Sequence, residues 1–141
     1  MVWQLFDTEI LGNQSQVRLD DGFAGDLPGD ELPNILWIGV WCQQGTEGHH
    51  WHPDEADLLE LIESDLLELV EQYGFGWAVY TRRLATAGTR EYFFYFGGDA
   101  DLAKVAPALK QKYPEYRIES EARPDPKWEL YLSWVKTAPH G

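Results

Sequence analysis

Apolar residues recur along the chain with two different spacings, one typical of helices and one typical of strands. In residues 53–73 they recur every three or four positions on one face, the period of an amphipathic helix, and Gly74 is placed to end it. Residues 35–42 are almost continuously apolar over the length of one strand, which predicts a central strand covered on both faces. We therefore expect a core strand followed by a helix.

Three further segments have the character of strands. The runs 76–85 and 90–96 are rich in aromatic and β-branched residues, and the short loop 86–89 joins them. Two such runs around a short loop predict a β-hairpin. Residues 116–121 alternate between polar and less polar side chains, which predicts a half-exposed strand.

Two shorter helices are predicted in the C-terminal half. Asp99 is placed to cap a helix whose apolar residues repeat on one face. Pro107 removes a backbone donor from that helix, so we expect irregularity between residues 103 and 107. Asp125 and Pro126 are placed to begin the last helix.

The order of the predicted elements defines a fold class. Residues 2–10 and 16–19 predict two short N-terminal strands, and the elements between residues 35 and 121 follow in the order βαββαβ. This order is typical of a ferredoxin-like antiparallel sheet in the α+β class. A chain of 141 residues has the size of one domain. We expect a single domain with three parts, a β extension (1–34), a ferredoxin-like core (35–122), and a C-terminal helix and tail (123–141).

One face of the predicted sheet has no helix to cover it. Alternation along the first core strand places Trp37 and Trp41 on that face, and alternation along the third adds Phe93 and Tyr95, with Tyr80 at their border. Such an aromatic surface is rarely left in water. The coverings left open are the chain's own ends, a second subunit of a homodimer, another partner, or a ligand.

Charge narrows the class of partner. The chain has 24 acidic and 11 basic residues, a net charge of −13, which disfavours nucleic-acid binding and favours basic protein surfaces or cations. No Lys or Arg lies between Pro53 and Tyr80, and acidic residues occupy the helix face opposite the apolar stripe. We hypothesise that this acidic face docks a basic partner.

The sequence offers little for catalysis. His49, His50 and His52 form the one dense group of potential metal ligands, but imidazoles this close together in a loop usually diverge, so we expect a solvated loop rather than a metal site. No phosphate loop, serine elbow or zincin motif occurs. We expect no catalytic residues and no cofactor. The absence of a signal peptide or an apolar span predicts a cytoplasmic protein with no membrane association.

Three segments carry a resemblance to a known family: residues 89–96, residues 116–119 and the ending Asp-Pro-x-Trp-x-x-Tyr of residues 125–131. Together they resemble the uncharacterised bacterial DUF six-nine-five family, which is related to regulator of ribonuclease E activity B. The resemblance spans about residues 35–139. The family has no established catalytic residues, and the regulator acts by binding a ribonuclease, so the resemblance implies interaction rather than catalysis.

The leading hypothesis is therefore a non-enzymatic regulatory or adaptor domain that binds another protein. One alternative is an acidic inhibitor, such as an immunity protein that blocks a basic toxin or nuclease. Another is an enzyme, or a protein that binds a small ligand or metal, with its pocket between the sheet and the chain's ends. The residues predicted to contact a partner are Trp37, Trp41, Tyr80, Phe93, Tyr95, Trp128, Glu60, Glu68 and Glu71.

Overall fold

A six-stranded antiparallel sheet forms the centre of the structure, a computed structural model that describes residues 3–42 and 53–138. The strands lie in the order β1-β2-β4-β5-β3-β6. The predicted α+β class is confirmed, with the N-terminal strands continuing the sheet and a C-terminal helix added. In chain order the elements are β1 (Trp3–Ile10), β2 (Asn13–Asp20), β3 (Asn34–Trp41), α1 (Pro53–Gly74), β4 (Ala78–Thr86), β5 (Thr89–Phe96), a 3₁₀ turn (Leu102–Lys104), α2 (Val105–Lys112), β6 (Arg117–Pro124) and α3 (Glu129–Thr137).

One face of the sheet packs against α1 and α2. The apolar stripe of α1 contributes Leu59, Ile62 and Leu66, all with no exposed surface, and they meet Ile38 of β3 and Phe94 of β5 in one cluster. The three- and four-residue spacing that predicts the helix is therefore also what builds this core. No helix within the two described ranges is long and apolar enough to cross a membrane.

The second helix is irregular where the sequence predicts it to be. The chain first makes the 3₁₀ turn, and α2 begins at Val105, so that Pro107 lies in the first α-helical turn, where a missing N–H breaks no intrahelical bond. The predicted cap by Asp99 is wrong. Asp101 precedes the 3₁₀ turn and makes no capping bond with its side chain, while Asp99 lies further back, in the turn that the Ala100 N–H closes on Gly97 O.

The opposite face is covered in part by the chain's own ends. Trp128 is completely buried, stacks on Tyr95 with ring centroids 4.0 Å apart, and donates from Nε1 to Leu32 O at 2.9 Å. Tyr131 donates its hydroxyl to Asp20 O at 2.8 Å. The helix α3 and the loop between β2 and β3 thus form a second core over β2, β4 and β5.

A β-bulge in β4 changes which side chains face this second core. Tyr80 pairs with Phe94 and Arg82 with Phe93, so Thr81 is one residue extra against two consecutive residues of β5. Side-chain alternation restarts after it. Tyr80 therefore packs on the helix side, with its ring 4.9 Å from that of Phe94, and the prediction that it borders Trp37 and Trp41 is wrong.

Candidate binding cleft on the sheet

Among the described residues, no element covers the part of the second face that lies beyond α3, above β3 and β6. Trp37 and Trp41 lie there, both half-buried, with ring centroids 6.3 Å apart and planes at 84°. Gly39 lies beneath them, and a Cβ at this position would come within 2.5 Å of Trp37 Cζ2. A glycine is what lets the two indoles fold over the strand. We call Trp37, Gly39 and Trp41, with the neighbouring Arg117 and Glu119 of β6, the open strip.

A cleft of about 340 Å³ lies between the open strip and α3. Its walls come from four strands and one helix, because the register brings β3, β5 and β6 side by side while α3 crosses above them. The lining residues are Ile35, Trp37, Arg82, Glu91, Phe93, Glu121, Arg123, Leu130 and Trp134.

Arg82 is the most unusual residue in this cleft. It is only 4% exposed, and its Cζ lies 3.8 Å from the centroid of Phe93 and 4.2 Å from that of Trp134, so the guanidinium is held between two rings. Within the described residues neither Nε nor Nη1 has a hydrogen-bond acceptor. Burial lowers the pKa of Arg82 to about 9, against the opposing influence of Glu91, so the group keeps its charge at neutral pH.

The other charged side chains of the cleft are held at its rim. Glu91 accepts a hydrogen bond from Trp37 Nε1 at 2.8 Å. Glu121 and Arg123 come from β6, where they pair with Trp37 and Ile35 of β3. Among the described residues, the lining contains two cations and two anions among apolar side chains. Such a lining is suited to holding a polar group on an apolar body.

Beside the cleft, the open strip contributes a second cation over an aromatic ring. Arg117 Cζ lies 4.1 Å from the centroid of Trp41, and Arg117 Nη2 is 2.8 Å from a carboxylate oxygen of Glu119. Charged groups therefore lie next to Trp41, while part of its ring stays accessible to solvent. Aromatic surface surrounded by polar groups is common at the centre of protein interfaces.

The predicted aromatic contact residues are thus divided between two environments. Trp37 and Phe93 line the cleft, and Trp41 lies beside it. Tyr95 and Trp128, by contrast, are completely buried against each other, so no partner can touch them in this conformation. They are buried because α3, which carries Trp128 at its start, packs its own aromatic face onto β5, and their role as contact residues stays a prediction.

The predicted acidic face of α1 is partly neutralised within the chain. Glu60 lies 3.5 Å from Arg90 and 4.0 Å from Arg83, and the buried Glu63 pairs with Arg83 at 2.9 Å and with Arg18 at 3.3 Å. The helix itself contains no Lys or Arg, but arginines from β2, β4 and β5 pair with these two glutamates. The expectation of an unpaired face is therefore wrong at Glu60. Two other predicted contact residues, Glu68 and Glu71, are exposed on α1, away from the cleft, and their role stays a prediction.

The histidine group lies outside the described residues. His49, His50 and His52 fall in the segment 43–52, so their prediction is not tested. In the ranges 3–42 and 53–138 no group of three or more His, Cys, Asp or Glu side chains could hold a metal ion.

Sequence reasoning missed seven of the nine described lining residues. Alternation along β6 contains the signal for Glu121 and Arg123, and the i,i+4 spacing in α3 contains the signal for Leu130 and Trp134. Alternation also contains the signal for Arg82, two residues from Tyr80, but the bulge at Thr81 separates the two, so that Arg82 lies on the second face and Tyr80 on the helix side. The full set of missed residues is Ile35, Arg82, Glu91, Glu121, Arg123, Leu130 and Trp134.

The fold and the cleft define the class as a mixed α+β protein with a cleft between one face of its sheet and its last helix. A family model described as a family of unknown function (DUF695) matches residues 2–135, and the chain belongs to this family. The match includes the N-terminal strands, which the resemblance seen in the sequence did not cover. The relation to regulator of ribonuclease E activity B stays a prediction. No curated protein and no solved structure matches the chain.

Proposed function

We propose that this protein is a non-enzymatic regulatory or adaptor domain that binds another protein through the open strip and the adjoining cleft. One observation carries the proposal. The chain buries Tyr95 and Trp128 completely under α3, yet leaves Trp37 and Trp41 half-buried beside a cleft on the same face. Tryptophan at the centre of a charged rim is the side chain that most often dominates the binding energy of an interface.

Long-range charge favours a partner with a basic surface. The net charge of −13 attracts such a surface and accelerates its association at low salt. The local chemistry of the open strip is mixed, since Glu119 and Arg117 lie side by side on β6. We therefore expect charge to govern the rate of approach, and Trp41 to govern how long the complex lasts.

The structure supports the small-ligand alternative better than the acidic-inhibitor alternative. An acidic inhibitor needs an unpaired acidic surface, and the pairs that Glu60 and Glu63 make with Arg83 reduce that surface on α1. A small-ligand protein is the second candidate, because the cleft of about 340 Å³ falls within the size range of ligand pockets.

A capture experiment with matched variants tests the protein-binding proposal. Immobilised wild type, Trp41→Ser and the double variant Glu68→Lys/Glu71→Lys are exposed to a lysate of the source organism, and bound proteins are identified by mass spectrometry. We expect a protein that wild type and the α1 double variant retain, and that Trp41→Ser loses. The purified partner should bind Trp41→Ser at least about thirtyfold more weakly than wild type, the loss expected for an interface hot spot.

Two results would contradict the proposal. In one, no protein distinguishes wild type from Trp41→Ser, although circular dichroism shows that the variant is folded. In the other, the purified partner binds Trp41→Ser normally and the double variant weakly, which would move the interface to the acidic face of α1.

Raising the salt from about 0.05 to about 0.5 M should slow association of a basic partner more than it speeds dissociation.

A further inference from the structure

Arg82 is a buried cation that no described residue pairs. The side chain is 96% buried, since only 4% of it is exposed, and Nε and Nη1 have no acceptor within the described ranges. A buried guanidinium without hydrogen bonds is costly, because the charge has lost water and gained no counter-group. The hydrogen-bonding capacity of Arg82 is therefore unused, and the group that would satisfy it is an anion.

The surroundings fix the guanidinium in place. Phe93 and Trp134 hold its two faces at 3.8 and 4.2 Å, so its edge is left as the direction for hydrogen bonding. Glu91 acts on Arg82 through space, but it accepts from Trp37 Nε1 and makes no hydrogen bond to Arg82. The guanidinium is thus fixed before a ligand arrives, and because Nε and Nη1 are closed to water, a carboxylate reaches them when the side chains around them shift.

The cleft restricts the kind of anion. A guanidinium edge matches a planar carboxylate, with which it can make two parallel hydrogen bonds. Glu91 and Glu121 share the cleft with Arg82 and Arg123, so the lining offsets a single added negative charge better than the double charge of a phosphate. Leu130 and Trp134 provide apolar surface next to the guanidinium for whatever carries the anion.

We propose that this cleft binds a carboxylate carried on an apolar body, with Arg82 as the residue that anchors it. The inference rests on the proposed function, in which the carboxylate is an Asp or Glu side chain or a chain terminus of the protein partner. A free organic acid offers the same chemistry, and the experiment separates the two sources.

The direct test compares an acid with its uncharged counterpart. 3-Phenylpropionate and 3-phenylpropionamide have the same apolar body and differ in the carboxylate. Each is titrated into the ¹⁵N-labelled full chain while the indole N–H signals are followed by NMR. We expect saturable shifts at Trp37 and Trp134, which line the cleft, and binding of the acid at least about tenfold tighter than the amide, as for a charge-assisted bond. The buried indole of Trp128 should not move and reports an intact fold.

Matched variants assign the effect to Arg82. Arg82→Met keeps a side chain of similar length but removes the charge, and it should weaken binding of the acid at least about tenfold without affecting the amide. Lys127→Met makes the same change in net charge at an exposed residue outside the cleft and should bind the acid as wild type does. An unchanged Trp128 signal in Arg82→Met shows that the variant is folded.

Peptides separate the sources of the carboxylate. A blocked peptide with one Glu beside a Phe is compared with its Gln form, alongside the free acid. Tighter binding of either acid than of its neutral form, lost in Arg82→Met, supports the inference and identifies the source. No saturable binding of either acid, equal binding of acid and neutral forms, or normal binding by Arg82→Met would overturn it.

The two proposals can fail separately. If a captured partner depends on Trp41 but binds Arg82→Met as it binds wild type, the carboxylate inference fails and the protein-binding proposal stands. If the acids bind through Arg82 and no partner is captured, the inference stands with a free organic acid as the ligand, and the protein-binding proposal fails.

Discussion

Arg82 and Arg83 are neighbours in the sequence with opposite environments. Arg83 points to the helix side and pairs with the buried Glu63 at 2.9 Å, whereas Arg82 points into the cleft and lies between two rings. The difference comes from the strand, because successive residues of β4 face opposite sides of the sheet. The same residue type therefore stabilises the protein at one position and serves a ligand at the next.

The same substitution at these two positions should change stability in opposite directions. Arg82→Met should raise the free energy of unfolding by about 1 kcal/mol, because an unpaired buried charge is replaced by an apolar chain that still packs on the two rings. Arg83→Met should lower it by about 2 kcal/mol, since Glu63 is left with Arg18 alone.

Urea unfolding of the two variants and wild type measures both changes. A large loss of stability in Arg82→Met would show that Arg82 is a structural residue, paired through water or otherwise, and would remove the argument for an incomplete site.

The sequence predicts which face of the sheet each side chain occupies, but this prediction ends at the bulge in β4. Period-two alternation correctly separates Trp37 and Phe93 from the helix side of the sheet. It fails at Tyr80, because one extra residue, Thr81, breaks the alternation between Tyr80 and Arg82. Thr81 donates its hydroxyl to Phe93 O at 3.2 Å, a contact across strands that no local pattern contains.

At the scale of elements, the start of α3 depends on one carboxylate. Asp125 Oδ1 accepts from the N–H of Glu129 at 2.9 Å, and Oδ2 accepts from the N–H of Leu130 at 3.2 Å and from the Tyr95 hydroxyl at 2.6 Å. These bonds satisfy donors at the helix start and tie it to β5. Burial, followed by the bond to Asp125, raises the pKa of Tyr95 well above its ordinary value.

Removing this carboxylate should loosen α3. We expect Asp125→Ala to lower the free energy of unfolding by about 2 kcal/mol, about one from the lost cap and about one from the lost partner of Tyr95. Asp99→Ala is the matched control, since Asp99 also precedes a helix but does not cap it, and its effect should stay within about 0.5 kcal/mol.

Urea unfolding gives the free energy of unfolding of both variants. Hydrogen exchange localises the effect of Asp125→Ala, because amide protection should fall more in α3 than in β5. Equal effects of the two substitutions would mean that Asp125 does not act as a cap.

Most elements were predictable from the sequence and their exact starts were not. The apolar period of α1 and the continuous run of β3 identify these elements and their inner faces. Asp99 and Asp125 both look like caps, but Trp128 occupies the N-cap position of α3, and of the two aspartates only Asp125 accepts hydrogen bonds from the helix start, because Tyr95 holds its carboxylate there. The sequence contains the candidates for a cap, and tertiary contacts choose among them.

At the scale of the whole molecule, buried tyrosines link stability to alkaline pH. Burial raises the pKa of Tyr92 and of Tyr131 to about 12, from an ordinary value of 10.0. Between these values the unfolded chain loses the phenolic protons and the folded chain keeps them. Unfolding then releases protons, so the free energy of unfolding is unaffected below pH 10 and falls as the pH rises toward 12.

Each of these tyrosines should contribute a slope of up to about 1.4 kcal/mol per pH unit in that window. Urea unfolding at a series of pH values between 9 and about 11.5 measures the slope for wild type and for Tyr131→Phe. The variant should be less stable at pH 9, because it loses the bond to Asp20 O, and should show the shallower slope. Identical slopes would contradict the assignment of Tyr131 to this effect.

The two cores lie on opposite faces of one sheet, and the order of the chain sets when each can close. The first core is complete once β6 has been synthesised. The hairpin of β1 and β2, which is made first, pairs with β4 and not with β3, and its inner face is covered by α3, which is made last. A nascent chain leaving the ribosome therefore carries the apolar side of this hairpin uncovered until Trp128 and Tyr131 have emerged, and exposed apolar surface of this kind favours aggregation during that interval.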